Sequence, residues 1–149
     1  MVQLKLYLDS CCFNRPFDDQ SQLTVRLETE AILFILQQIY EKKCDLIWSS
    51  ILDLENKKNP FDSRREAVDG LRKYASLVIE PTDETRQNSL MLQSKGLKPV
   101  DSLHVACAIS VQCDYFITTD YKIINKPVEQ IAVVNPIHFV RIYEEVTRT

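Results

Sequence analysis

Between Val2 and Asp9 apolar and polar residues alternate. Val2, Leu4, Leu6 and Leu8 fall on one face, and Gln3, Lys5, Tyr7 and Asp9 on the other. That period of two predicts a strand. Ser10 to about Gln20 reads as a loop, marked by Asn14, Pro16 and Asp18-Asp19. From Ser21 to about Lys43 the period lengthens to that of a helix. Leu23, Leu27, Ile32, Ile35 and Ile39 keep an apolar face, and Lys42-Lys43 suit a helix C-terminus. Cys44 to Trp48 is a second strand. Ser49-Ser50 can cap a helix running to about Lys58, stopped by Asn59-Pro60. Ser63-Arg64-Arg65-Glu66 has the spacing of a capping box and predicts a helix to about Ser76.

The same alternation of elements continues to the end of the chain. Leu77 to Ile79 is a third strand, ended by Pro81. Thr82 caps a helix that Gly96 closes. Val100 to about Gln112 is another helix, Tyr115 to Thr118 a fourth strand and Ile131 to Val134 a fifth. Asn135-Pro136 opens a last helix, with proline at its first position. Short apolar strands alternating with helices predict a parallel sheet covered by helices on both faces. Open parallel sheets bind ligands beyond the carboxyl ends of their strands. The residues just after each strand are therefore the place to look for chemistry.

Two of those positions hold aspartate: Asp9 after the first strand and Asp120 after the fourth. Two more acids lie where helices begin near the same edge, Asp101 behind Lys98-Pro99 and Glu55 inside the short helix after the second strand. Taken singly, Asp101 could serve only the helix dipole, Asp120 only a turn, and Glu55 only the solvated face of its helix. Asp9 differs, because an acid ending a buried strand needs a partner. Converging acids repel, at about 4 kcal/mol for two charges 4 Å apart in a protein-like dielectric. A cation relieves that repulsion. An all-oxygen donor set selects a hard ion, Mg²⁺ or Mn²⁺, over zinc, and such an ion supports phosphodiester hydrolysis.

Composition narrows the field. The chain has 149 residues, 45% of them apolar and 26% charged, which fits one globular domain, residues 1–149, burying about 68–70% of its unfolded surface. Its formal charge of −3 excludes a chain that wraps nucleic acid by net charge alone, though not a basic patch. Two glycines, Gly70 and Gly96, cannot write a Walker or dinucleotide loop. Two histidines, His104 and His138, exclude a multi-histidine zinc site, and the 5 cysteines have no zinc-like spacing. No signal peptide and no apolar run of membrane-spanning length is written in the sequence, which predicts a cytoplasmic protein with reduced thiols.

The segments Leu6-Tyr7-Leu8-Asp9-Ser10, Ser50 through Glu55, Asp101-Ser102-Leu103-His104-Val105-Ala106 and Thr118-Thr119-Asp120 together make the chain resemble a PIN domain over nearly its whole length. The resemblance implies a three-layer α/β/α fold around a mostly parallel sheet of about five strands. It implies an Mg²⁺- or Mn²⁺-dependent nuclease in which Asp9, Glu55, Asp101 and Asp120 are the catalytic, metal-holding acids and Thr118 holds an outer-sphere water. Small members of this kind resemble the toxins of VapBC-type toxin–antitoxin pairs, which cut RNA. An RNA substrate and an antitoxin protein are the partners implied, with a homodimer the common default assembly. Asn14-Arg15-Pro16-Phe17 and the long first loop depart from the shortest such toxins.

Other residues compete for roles. Glu30 and Asp53 are rivals of Glu55. Cys11-Cys12 suggest a thiol nucleophile, but packing is the simpler reading. His104, one turn after Asp101, can touch the site or serve structure. Phe13 and Phe17 can stack bases or cover a core edge. The basic pairs Lys57-Lys58, Arg64-Arg65 and Arg72-Lys73 are solvated faces or an RNA-tracking patch. A silent PIN-like RNA-binding or protein-interaction module is the alternative to the enzyme. A phosphotransfer protein fits less well, because Cys11 stands where an aspartyl-phosphate phosphatase needs a second acid.

Overall fold

The computed structural model describes residues 3–148. Five strands, β1 (Leu4–Leu8), β2 (Cys44–Ser49), β3 (Leu77–Ile79), β4 (Tyr115–Ile117) and β5 (Ala132–Val134), form one sheet in the order β3-β2-β1-β4-β5. Every pairing is parallel, with Tyr7 of β1 opposite Ile47 on one side and Phe116 on the other. The eight helices among the described residues are α1 (Ser10–Asn14), α2 (Leu23–Tyr40), α3 (Ser50–Lys57), α4 (Asp62–Leu71), α5 (Asp83–Ser94), α6 (Pro99–Ser110), α7 (Tyr121–Ile124) and α8 (Pro136–Thr147). They make the expected three-layer α/β/α architecture.

The chain moves one way across the sheet from β1 to β2 to β3, then returns past both to β4 and β5. Right-handed crossovers place the connections of opposite direction on opposite faces. Accordingly α2 packs on α8 in one layer, and α5 packs on α6 in the other. The order reverses between β1 and β4. A crevice at the carboxyl ends of those two strands is the consequence.

Several boundaries differ from the sequence expectation for local reasons. Val2, assigned to the first strand, lies outside the described residues. Strict alternation along β1 is not kept: Leu6, Tyr7 and Leu8 are all fully buried. A central parallel strand is covered on both faces, so its polar side disappears. The expected loop after Asp9 is α1 followed by a 3₁₀ turn at Arg15–Phe17, with Pro16 supplying the preset φ of a first turn. Cys12 and Phe13 of α1 are buried, and Phe13 packs against Trp48 at 5.0 Å between ring centroids.

The Ser63 capping box does not form. Asn59 Oδ1 takes the Phe61 N–H at 3.2 Å, and α4 starts at Asp62 with Phe61 as its N-cap. The capping box appears instead at Thr82 and Thr85. Gly96 closes α5 with φ 106°, a conformation that glycine reaches without strain. Asn135 caps α8 by accepting the Ile137 N–H at 2.9 Å. All 5 cysteines are free thiols.

Candidate metal centre

Asp9 stands at the end of the central strand. Its backbone N–H donates to Ile117 at 2.9 Å, so strand pairing carries the residue into place. Its Oδ1 accepts the Ser10 N–H at 2.8 Å and caps α1. Its Oδ2 accepts the Thr118 hydroxyl at 2.8 Å and lies 3.4 Å from the Cys11 thiol. Asp9 is buried, and burial first, then the Cys11 thiol, hold its carboxyl well above the usual carboxylate range. Thiol and carboxyl compete for one proton: hydrogen bonds from Cys12, Thr118 and Thr119 draw Cys11 down to about 6 against its burial.

Glu55 arrives from the other side of β1. Ser49 ends β2 and caps α3 by accepting the Leu52 N–H at 3.3 Å, which sets Glu55 on the next turn. The Glu55 carboxylate meets His104 Nε2, and His104 Nδ1 lies 2.5 Å from the Tyr7 hydroxyl, which lies 2.6 Å from Ser49 Oγ. Counting donors assigns the chain: Ser49 donates to Tyr7, Tyr7 to His104 Nδ1, and His104 Nε2–H to Glu55. Burial pushes the Tyr7 hydroxyl well above its ordinary value, so it keeps its proton. Each group in this buried chain is satisfied, and together they fix the imidazole that aims Glu55.

Asp101 sits in the first turn of α6, behind Pro99, and His104 follows one turn later. Burial raises the Asp101 carboxyl, and the nearby charges of Asp120 and Glu55 raise it further, against His104 and Lys98. Asp120 follows β4, caps α7 by accepting the Lys122 N–H at 2.9 Å, and has its own N–H on Thr118 Oγ at 3.0 Å. One donor atom each from Asp9, Glu55 and His104 lie within 4.8 Å of one another. Carboxylate oxygens facing one another, with an excess of negative charge felt at Asp101, fit a hard divalent cation. His104 spends its Nε2–H on Glu55 and so orients a ligand rather than serving as one.

No family model matches the chain, and no curated protein matches it in sequence. Its fold does match solved structures. VapBC2 from Rickettsia felis, bound to a DNA fragment from its promoter, is 15% identical with a TM-score of 0.60, over 89% of this chain and 98% of that one. FitAcB from Neisseria gonorrhoeae is 14% identical with a TM-score of 0.59, over 89% and 99%. DNA-bound VapBC from Salmonella typhimurium is 17% identical with a TM-score of 0.55, over 90% and 99%. The fold is PIN-like.

Within that PIN-like fold, the two rivals of Glu55 are placed elsewhere. Glu30 is exposed on α2. Asp53 accepts Trp48 Nε1–H at 2.8 Å and pairs with Arg72 at 3.3 Å, a structural tie between β2 and the turn after α4. Thr118 binds Asp9 directly. His104 is both buried and at the site. Tyr7 and Ser49 escaped the sequence reading, because a polar residue in a strand looks like a solvent-facing one until the strand is known to be central. Phe13 is core, while Phe17 is exposed beside Arg64. No described helix is long and apolar enough to cross a membrane.

Proposed function

We propose that the chain is a divalent-metal-dependent endoribonuclease, one PIN-like domain over residues 1–149, and the toxin of a type II toxin–antitoxin pair in the cytoplasm. The observation that carries this reading is the approach of Asp9 and Glu55, with His104, to within 4.8 Å at the carboxyl edge of the sheet, beside an Asp101 carboxyl raised by burial and then by the charges of Asp120 and Glu55. The VapBC structures, with which the fold is shared, support the toxin assignment and an antitoxin protein as partner.

Asp9, Asp101 and Asp120, with Glu55, would hold Mg²⁺ or Mn²⁺. Such an ion lowers the pKa of a bound water and stabilises charge developing on the phosphate. Asp9 is held rigid by Ser10 and Thr118. Glu55, steered by His104, would orient the attacking water and accept its proton. Asp101, its carboxyl raised by burial and then by Asp120 and Glu55, is an acid whose charge a bound cation would relieve. Attack by water needs no 2′-hydroxyl, so preference for RNA arises from binding.

The test is cleavage of a mixed structured and single-stranded RNA pool with Mn²⁺, with Mg²⁺ and with EDTA, beside the Asp101→Asn protein. Metal-dependent cutting lost in the variant is expected. Absence of cutting, with no rise in melting temperature on adding metal, would replace the enzyme by a silent binding module.

A further inference from the structure

Beside Asp101, between the start of α6 and α7, lies a cavity of about 140 Å³. Buried Leu97 and Ile123 line it, and Lys98, Lys122, Lys126 and Asp101 give it its charge. That volume is well under the roughly 300 Å³ at which pockets for drug-sized ligands begin, so the cavity suits one small group. Three ammonium groups against one carboxylate make its wall net positive. Asp101 and Asp120 stand at the starts of the same two helices. Even so, among the described residues no ion pair involves Lys98, Lys122 or Lys126.

Local structure puts each amine there. The Lys126 stem crosses Gly96, with Nζ 3.2 Å and Cδ 3.3 Å from the place a Cβ would take. A side chain at position 96 would push the amine away, so the glycine that ends α5 also seats a lysine. Lys122 opens α7, where its N–H donates to Asp120 Oδ1 at 2.9 Å. Lys98 is the N-cap residue of α6, which begins without a side-chain cap. Pro99 has no N–H, and the first helical bond runs from the Ser102 N–H to the Lys98 carbonyl at 2.8 Å. The positive end of a 12-residue helix therefore adds to the lysines. A cation at a helix N-terminus stands against the dipole, and an anion bound between them would offset that cost. Lysine binds phosphate as a point charge, without the fixed fork that arginine brings.

We infer that this cavity takes one backbone phosphate of a single-stranded RNA, with Lys98, Lys122 and Lys126 donating to its oxygens. Asp101 borders the cavity and feels the charges of Asp120 and Glu55, so the bound phosphate neighbours the one to be cut. A metal would neutralise the phosphate among the acids, and the lysines neutralise the next one along the strand. Phosphate contacts position a strand without reading its sequence. The choice of a phosphodiester and its place beside the cut rest on the nuclease reading, whereas anion binding does not.

The experiment is fluorescence anisotropy of the full chain in EDTA over a range of salt. Its probes are single-stranded oligoadenylate, oligocytidylate and an oligoglutamate peptide of the same charge. Lys122→Gln/Lys126→Gln should weaken both oligonucleotides alike, by about tenfold at low salt. It should lower the slope of log affinity on log salt by about 0.7, the value for one phosphate of a single strand. Lys43→Gln/Lys73→Gln removes the same charge ahead of β2 and β3, at the amino edge of the sheet, and should match the wild type. Neither double variant should melt early, and if Lys126→Gln does, Lys98→Gln takes its place. Equal weakening by the two double variants would mean that net charge alone acts, and overturns the inference, as does an unchanged salt slope or no binding. Oligoglutamate binding as tight as that of the oligonucleotides also overturns it and assigns the lysines to an acidic protein segment. Metal-dependent cleavage with undiminished binding in Lys122→Gln/Lys126→Gln removes the subsite and leaves the nuclease standing. Weakened binding in that variant, with no cleavage by the wild type in any metal, keeps the anion site and removes the nuclease.

Discussion

Two buried carboxylates answer the same physical problem in opposite ways. Glu28 of α2 is 2% exposed, and Asp9 is 7% exposed. Glu28 faces Arg15 Nε at 3.2 Å and accepts Asn135 Nδ2–H at 2.6 Å. It ties the 3₁₀ turn after α1 to the cap of α8, with a cation built into the fold. Asp9 has only neutral donors within hydrogen-bond reach, from Ser10, Thr118 and Cys11, and its raised carboxyl carries the cost of burial. Glu55 and His104 lie beside it, and His104 directs its Nε2–H to Glu55 rather than to Asp9. Glu28 has its counter-charge within the fold, whereas Asp9 has none hydrogen-bonded to it, and the proposed cation would supply one.

The largest effect that can break this contrast is on cleavage. Asp9→Asn or Asp101→Asn keeps the shape and removes a charge from the proposed metal site, and should reduce metal-dependent cleavage by about 100-fold or more while circular dichroism stays native. Full activity in both proteins would dissolve the proposed distinction. In the other region the same exchange acts on stability. Glu28→Gln leaves Arg15 Nε beside a neutral amide, with Asp18 at 3.1 Å its remaining anionic partner. A fully buried broken pair costs about 3–5 kcal/mol, and the partial exposure of Arg15 brings the expectation to about 2 kcal/mol. The melting temperature should then fall by about 4–8 °C, with metal-dependent cleavage at low temperature retained. Normal stability with lost cleavage would place Glu28 in the site instead.

How much of this was legible in the sequence depends on the range of the signal. The strand–helix alternation, the Asn135-Pro136 opening and the Gly96 ending are local signals, and each element is present. Asp9 and Asp120 follow from strand ends, and Asp101 and Glu55 from helix starts, so all four acids of the proposed site could be named from the chain. Their convergence depends on strand order, which no local pattern carries. Glu28 reads as one more polar position on α2, because Arg15 and Asn135 are distant in sequence. Tyr7 and Ser49 were hidden for the same reason. The helix at Ser10–Asn14 was masked by Asn14 and Pro16, whose loop signal was stronger than the cap offered by Asp9.

The buried chain from Tyr7 through His104 to Glu55 gives a smaller effect, and it sharpens what an unpartnered carboxylate requires. His104 is a positioning residue, since it reaches the site through Glu55. His104→Gln should weaken Mn²⁺ affinity, read by calorimetry, by about tenfold. Tyr7→Phe removes both buried hydrogen bonds of the hydroxyl, to His104 and from Ser49, and should cost about 2 kcal/mol of stability. Unchanged Mn²⁺ affinity in His104→Gln would reduce this network to packing.

The smallest expected effect has the most informative sign. The folded-state carboxyl of Asp101 is raised by burial and by Asp120 and Glu55. Between the unfolded value, about 3.9, and that raised value, the folded chain holds more protons than the unfolded one. Stability therefore falls as pH rises through this window. The α6 N-terminus opposes this with about 0.3–1 kcal/mol in favour of the charge, yet the carboxyl stays raised, so burial and repulsion prevail. In EDTA, Asp101→Asn should match the wild type in melting temperature near pH 3–4 and exceed it increasingly toward neutral pH. Because Asp101 is half exposed, screening holds the gain under about 1 kcal/mol. Adding Mn²⁺ should reverse the order, since only the wild type keeps the full set of acids. The amide thus raises metal-free stability at Asp101 and lowers it at Glu28. An Asp101→Asn protein less stable than wild type at neutral pH without metal would mean that Asp101, like Glu28, already has its counter-charge within the fold.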